Sequence, residues 1–129
     1  MLQPALIDYP DAELVMCEQT RRLLPDVYVA RKVPRTGGKQ IIWNRIGGHQ
    51  DPPQDIALME CRVWADTDLA CNKLVTRLLA VLPAATGGPV VKVDSSSGPA
   101  DLGTEREPMR QLIFEITLKG TQHGSNTPA

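Results

Sequence analysis

Aromatic side chains are scarce in this chain of 129 residues: one Phe, two Tyr and two Trp, 4% in all. Any core must therefore rest on aliphatic packing. Charge of one sign is lacking too. Fourteen Lys and Arg stand against 15 Asp and Glu, a formal net charge of −1. A nucleic-acid binder usually carries a basic excess, so a general role on the phosphate backbone is not expected, a local basic patch stays open, and no sequence-specific nucleic-acid partner is assigned. Cysteine is limited to Cys17, Cys61 and Cys71. No CxxC pair exists, and His49 and His123 have no cysteine at ligand spacing, so the usual zinc patterns are excluded. Buried free thiols in a reducing compartment are the expectation. No apolar run reaches the roughly 18 residues of a spanning helix, and the N-terminus lacks a basic-then-apolar pattern. The chain is expected neither to enter a membrane nor to be secreted.

What is present is ordinary for a folded domain: 42% hydrophobic and 22% charged residues. The stretch from Ile56 to Leu82 organises the rest. IALMECRVWA alternates, with Ala57, Met59, Cys61, Val63 and Ala65 on one face and Ile56, Leu58, Glu60, Arg62 and Trp64 on the other. A helix follows, with Asp66 as its expected N-cap and Asp68 in its first turn. Cys71, Leu74, Val75, Leu78 and Leu82 recur at helical spacing, widened by Leu79, until Pro83 and Gly87-Gly88-Pro89 close the element.

Residues 1–10 read as a lead-in arm. Asp11 then caps a first helix through Leu24, with Ala12, Leu14, Val15, Met16, Leu23 and Leu24 as its apolar stripe and Pro25 as its stop. Val27 to Val33 alternates as a strand. After the breaker Pro34 to Lys39, Gln40 to Ile46 forms a second strand, with Ile42 and Ile46 opposed to Ile41 and Trp43. This order suggests a hairpin with an extended, mobile tip. Gly47-Gly48 ends the second strand and HQDPPQD reads as a loop, because adjacent prolines cannot donate to a ladder. Pro89 to Asp94 is a short strand and Ser95 to Glu107 a loop. The last strand is the clearest: Arg110, Leu112, Phe114, Ile116 and Leu118 alternate with Met109, Gln111, Ile113, Glu115 and Thr117.

The order α-β-β-β-α-β-β implies an α+β fold, a mostly antiparallel sheet of about five strands with both helices on one face. Residues 1–120 are read as one domain and 121–129 as a flexible tail. The second sheet face, with Ile56, Leu58 and Trp64 among Glu60, Arg62, Glu115 and Thr117, is either a solvated face or a contact surface for another chain.

No constellation for catalysis emerges. Thr36-Gly37-Gly38-Lys39 lacks the first glycine of a phosphate-binding loop, the Ser or Thr after the lysine, and the following helix. Ser96 has Asp94, not glycine, two residues before it, and no helix pattern follows, so it is no nucleophile elbow. Asp51, Asp55, Asp66 and Asp68 lack the spacing of a calcium loop, and turn and cap duties explain them. No catalytic residue, metal ligand or cofactor is assigned, and the chain is not expected to be an enzyme.

The sequence of pieces is distinctive in combination. A strand closed by Ile46-Gly47-Gly48 leads through a Pro-rich loop with Asp51 and Asp55 to a strand ending in Val63-Trp64. DLACNKLVTRLLAVLP follows, and RQLIFEITLKG, with Phe114 at its centre, comes last. From Asp11 to Lys119 this resembles the tail terminator proteins of long-tailed (siphovirus) bacteriophages, especially those of actinobacterial hosts. The resemblance implies a small α+β subunit of the virion. It would form a hexameric ring on the tail tube, end tube polymerisation, and offer the head connector a docking surface. Partners would be its own copies, the tail tube protein and the connector proteins at the tail–neck junction, with DNA passing through the ring.

From the residues of this chain come two interface expectations. Arg35 and Lys39 at the hairpin tip contact neighbouring virion proteins, being a basic projection on a near-neutral chain. Glu60, Arg62 and Trp64 lie at a subunit boundary or line the ring. The alternatives are a head–tail joining (neck) protein of the same virion and, from another class, a small ligand-binding domain or enzyme.

Overall fold

The structure, a computed structural model, describes residues 6–32 and 34–123. Val33, expected to close the first strand, and residues 124–129 of the expected tail lie outside them.

The fold is α+β. Strand β1 (Leu6–Asp8) leads into helix α1 (Ala12–Leu23), followed by strands β2 (Tyr28–Arg31), β3 (Gln40–Asp51) and β4 (Gln54–Trp64). Helix α2 (Asp68–Val81) runs into a short 3₁₀ turn, and strands β5 (Val90–Asp101), β6 (Met109–Lys119) and β7 (Thr121–His123) complete the chain. Five strands form the main sheet in the order β2-β3-β4-β6-β5, and β1 pairs with β7 in a separate two-stranded ribbon. The lead-in arm thus holds a strand, and the first three residues of the expected tail are its partner.

The alternation in β4 and β6 is the backbone of the packing. Register brings Ala57 opposite Ile116, Met59 opposite Phe114 and Cys61 opposite Leu112, and all six are buried. Ile41 and Trp43 of β3 continue this layer, Trp43 meeting Phe114 with ring centroids 5.7 Å apart. Both helices pack on this face, in one core with Met16 and Cys17 from α1 and Cys71, Leu74, Val75 and Leu78 from α2. The indole N–H of Trp43 donates to Thr20 Oγ1 at 3.0 Å, so the buried polar atom is satisfied without water.

Asp11 caps α1 as expected, accepting from the backbone N–H of Glu13 and Leu14. The stripe is rotated from the expected one. Leu14 is exposed, and Glu13 is buried in its place, its Oε2 accepting the N–H of Arg45 at 2.9 Å. In α2 the cap is Thr67, whose Oγ1 accepts from Ala70 N; Asp66 accepts instead from Gly38 N at 3.1 Å. Leu79 stands exposed on the outer side of α2.

Three further expectations are corrected. First, β2 and β3 pair in parallel, Tyr28 opposite Gln40 and Arg31 opposite Trp43, and form no hairpin. Strand β2 has four residues, about 13 Å at the usual rise, which the connection to Gln40 can retrace. Left-handed backbone at Lys32 (φ 68°), Gly37 (73°) and Gly38 (80°) turns it. Second, β3 does not stop at Gly47-Gly48. The register shifts between Arg45 and Gly47, and the strand continues to Asp51. Only Pro52-Pro53 turn the β3–β4 hairpin, the one place where no ladder donor is needed. Third, residues Ser95 to Asp101 belong to β5, which follows β6 through three register shifts to Asp101 opposite Arg110.

A candidate interaction face

No element covers the second face of the main sheet among the described residues. Its centre is polar. Glu60 and Arg62 sit two residues apart on β4, and Arg62 Nε lies 2.8 Å from Glu60 Oε1. That approach is too oblique for a hydrogen bond, and no other acceptor reaches the buried Nε. Gln111 of β6, opposite Arg62 in the register, reaches diagonally and donates from Nε2 to Glu60 Oε2. The carboxylate of Glu60 is 9% exposed while the Arg62 side chain is 43% exposed. The anion is enclosed and the cation faces outward, with donor capacity to spare.

Around this cluster the register sets out apolar ground. Ile42 lies opposite Arg62, Ile113 opposite Glu60, and Met109 opposite Trp64. Ile42 is buried, whereas Ile56, Leu58, Trp64, Met109 and Ile113 are half-buried. Aliphatic, Met and Trp side chains around a donor-rich Arg are the composition of protein contact surfaces.

The two edges of the sheet are less receptive. Edge strand β5 carries three register shifts, Pro99, and the charges of Lys92 and Asp94, all of which hinder further pairing. At the other edge β2 covers β3 only to Trp43, and Glu13 takes the N–H of Arg45 just beyond it. A groove of about 620 Å³ opens there between α1 and β3, lined by Asp11, Glu13, Lys32 and Arg45 among others. Those charges are matched to one another: Glu13 lies 3.8 Å from Lys32, and Asp11 is held by Arg31 at 2.7 Å.

Arg45 is fixed from the hairpin side. Its guanidinium meets the Asp55 carboxylate at 2.6 and 2.8 Å, and Gln50 donates to the same carboxylate. The Arg45 hydrogen bonds hold the Asp55 carboxyl below the usual carboxylate range against the opposing effect of burial.

The sequence-assigned residues thus divide. Glu60 and Arg62 form one cluster, to which the structure adds Gln111. Alternation placed Gln111 on the same face, but only the strand register brings it to Glu60. Trp64 shares the face but also lines a recess at the end of the sheet, where the structure places Arg35 beside it. Lys39 points elsewhere. Its Nζ pairs with Asp26 at 3.2 Å, and Arg77 of α2 holds the same carboxylate in a two-pronged pair. The segment carrying Arg35 and Lys39 is no extended tip, because Gln40 accepts from Arg35 N and donates to Arg35 O.

Of the aspartates weighed for a metal, Asp55 is held by Arg45, Asp66 accepts from Gly38 N, and Asp68 meets Arg110 at 2.6 Å. Among the described residues no three potential metal-ligating side chains cluster. No model of a known protein family matches the chain, and comparison with curated proteins finds no relative of it.

Proposed function

We propose that this protein is a structural subunit of a phage virion that closes into a hexameric ring on the tail tube, ends its growth and presents a surface to the head connector. The observation that carries this reading is the open sheet face. A half-satisfied Glu60–Arg62–Gln111 cluster sits there in an apolar surround, while both sheet edges are obstructed. A ring requires a heterologous contact, in which one patch of each subunit meets a different patch of the next. A face of this composition supplies the first of those patches, and the resemblance from Asp11 to Lys119 supplies the biological setting.

The test is native mass spectrometry with negative-stain imaging at rising concentration, alone and with tail tube protein. The expected result is a ring of six 14.1 kDa subunits, alone or templated by the tube, with tube growth halted. Long uncapped tubes in the mixture would count against termination. Binding to portal-side proteins instead would move the protein to the neck.

A further inference from the structure

Arginine side chains in this protein are almost all engaged. Arg21 and Arg22 donate to backbone carbonyls, and Arg31, Arg45, Arg62, Arg77 and Arg110 meet carboxylates. Among the described residues only Arg35 and Arg106 give their guanidinium groups neither a hydrogen bond nor an ion pair. Both line the same recess, a volume of about 400 Å³ between residues 34–40 and the turn before β6.

The recess is built rather than incidental. Trp64, half-buried, forms one wall. Arg35 lies over the Tyr28 ring with its guanidinium carbon 4.4 Å from the centroid, which restricts the group while leaving its N–H donors free. Its backbone is clamped at both ends by the Gln40 side chain. Arg106 stands in a turn closed by Thr104 N to Glu107 O at 3.0 Å and Glu107 N to Thr104 Oγ1 at 3.0 Å. Asp66 and Glu107 also line the recess, so its formal charges balance. One Asp66 oxygen is committed to Gly38 N.

That balance decides the ligand. A polyanion is drawn by net positive field, which is lacking here. A single carboxylate is recognised by directed donors in a planar fork, which two free guanidinium groups supply. The indole wall favours an apolar neighbour of that carboxylate. We infer that the recess receives an acidic side chain, flanked by an apolar residue, on a segment of a partner protein. This does not depend on ring formation, and it adds a docking point separate from the Glu60–Arg62 face.

The probe is the acetylated, amidated tripeptide leucyl-glutamyl-leucine, titrated into the ¹⁵N-labelled full chain and followed by NMR. Its glutaminyl counterpart and inorganic phosphate serve as parallel arms. Saturable shifts are expected at the Trp64 indole N–H and at the Nε–H of Arg35 and Arg106, while the buried Trp43 indole stays fixed. Loss of the carboxylate, or the Arg35→Gln, Arg106→Gln double variant, should weaken binding about tenfold, in line with a charge-assisted pair. Both arginines are exposed, and an unchanged amide spectrum elsewhere verifies that the variant folds. Equal binding of the glutaminyl peptide, equal binding of phosphate, or no shift with any probe would overturn the inference.

Discussion

Asp55 shows how a buried charge is tolerated when every direction around it is filled. It is 1% exposed, yet its carboxylate is met by two nitrogens of Arg45 and by Gln50. Removing one member of such a buried pair leaves the other uncompensated, so Asp55→Asn should cost about 3 kcal/mol, far more than a surface pair. The pH dependence follows from the sign of the shift. The folded carboxyl titrates below the unfolded one, so its contribution is complete above about pH 4 and is lost as pH falls through the folded value. Urea unfolding between pH 2 and 6 should show an acid-side loss of stability that is smaller in Asp55→Asn.

The thiols behave as packing atoms. Cys17, Cys61 and Cys71 are buried and unpaired, and Cys71 donates to Val63 O. Burial raises all three above the ordinary thiol value, Cys17 to about 11. A thiol reagent at pH 8 should label none in the native protein and all three in denaturant. Rapid native labelling would contradict the packing described.

At the scale of elements, length and direction are what the local pattern leaves open. Alternation in β4 and β6 and the 3.6-residue recurrence in α2 were legible, because burial of one face imposes its period on the side chains. Strand β5 was legible only to Asp94, because Ser95 to Asp101 pair through backbone groups while their side chains remain exposed. A strand exposed on both sides has no period to read. Strand β3 was cut short at Gly47-Gly48 for a related reason: glycines that break a pattern also permit a bulge. Gly48 holds φ 111°, and a Cβ there would run into the Ile56 carbonyl. Gly48→Ala should therefore cost about 2–4 kcal/mol, strain and clash together. Gly37→Ala, with positive φ but open space around it, should cost about 1 kcal/mol from strain alone. Denaturant midpoints of the two variants measure the difference, and equal losses would refute the role given to the Ile56 carbonyl.

For the whole molecule, placing both helices on one side of the sheet has a direct consequence. One face becomes the core, and the other is left to water or to another protein. Arg62→Glu sets a second carboxylate beside the enclosed Glu60 and should abolish the association proposed above, at a stability cost of about 3 kcal/mol because the buried anion loses its cation. Sedimentation at matched concentrations, with circular dichroism for the fold, checks it; a variant that assembles like the unaltered protein would remove Arg62 from the contact. Lys39 is no equivalent handle, because its ammonium is already paired with Asp26.

The sequence by itself determined the class of fold, the face to which most strand residues belong, and the Asp11 cap, because these depend on periods and donors within a few residues. It also set Glu60, Arg62 and Trp64 on the non-core face of one strand. Only the tertiary structure decided that β2 runs parallel to β3, that Gln111 reaches Glu60, and that Arg35, Arg106 and Trp64 line one recess. Backbone ladders form equally well in many registers, so which distant side chains converge is settled by the packing of the whole chain, not by any local stretch of it.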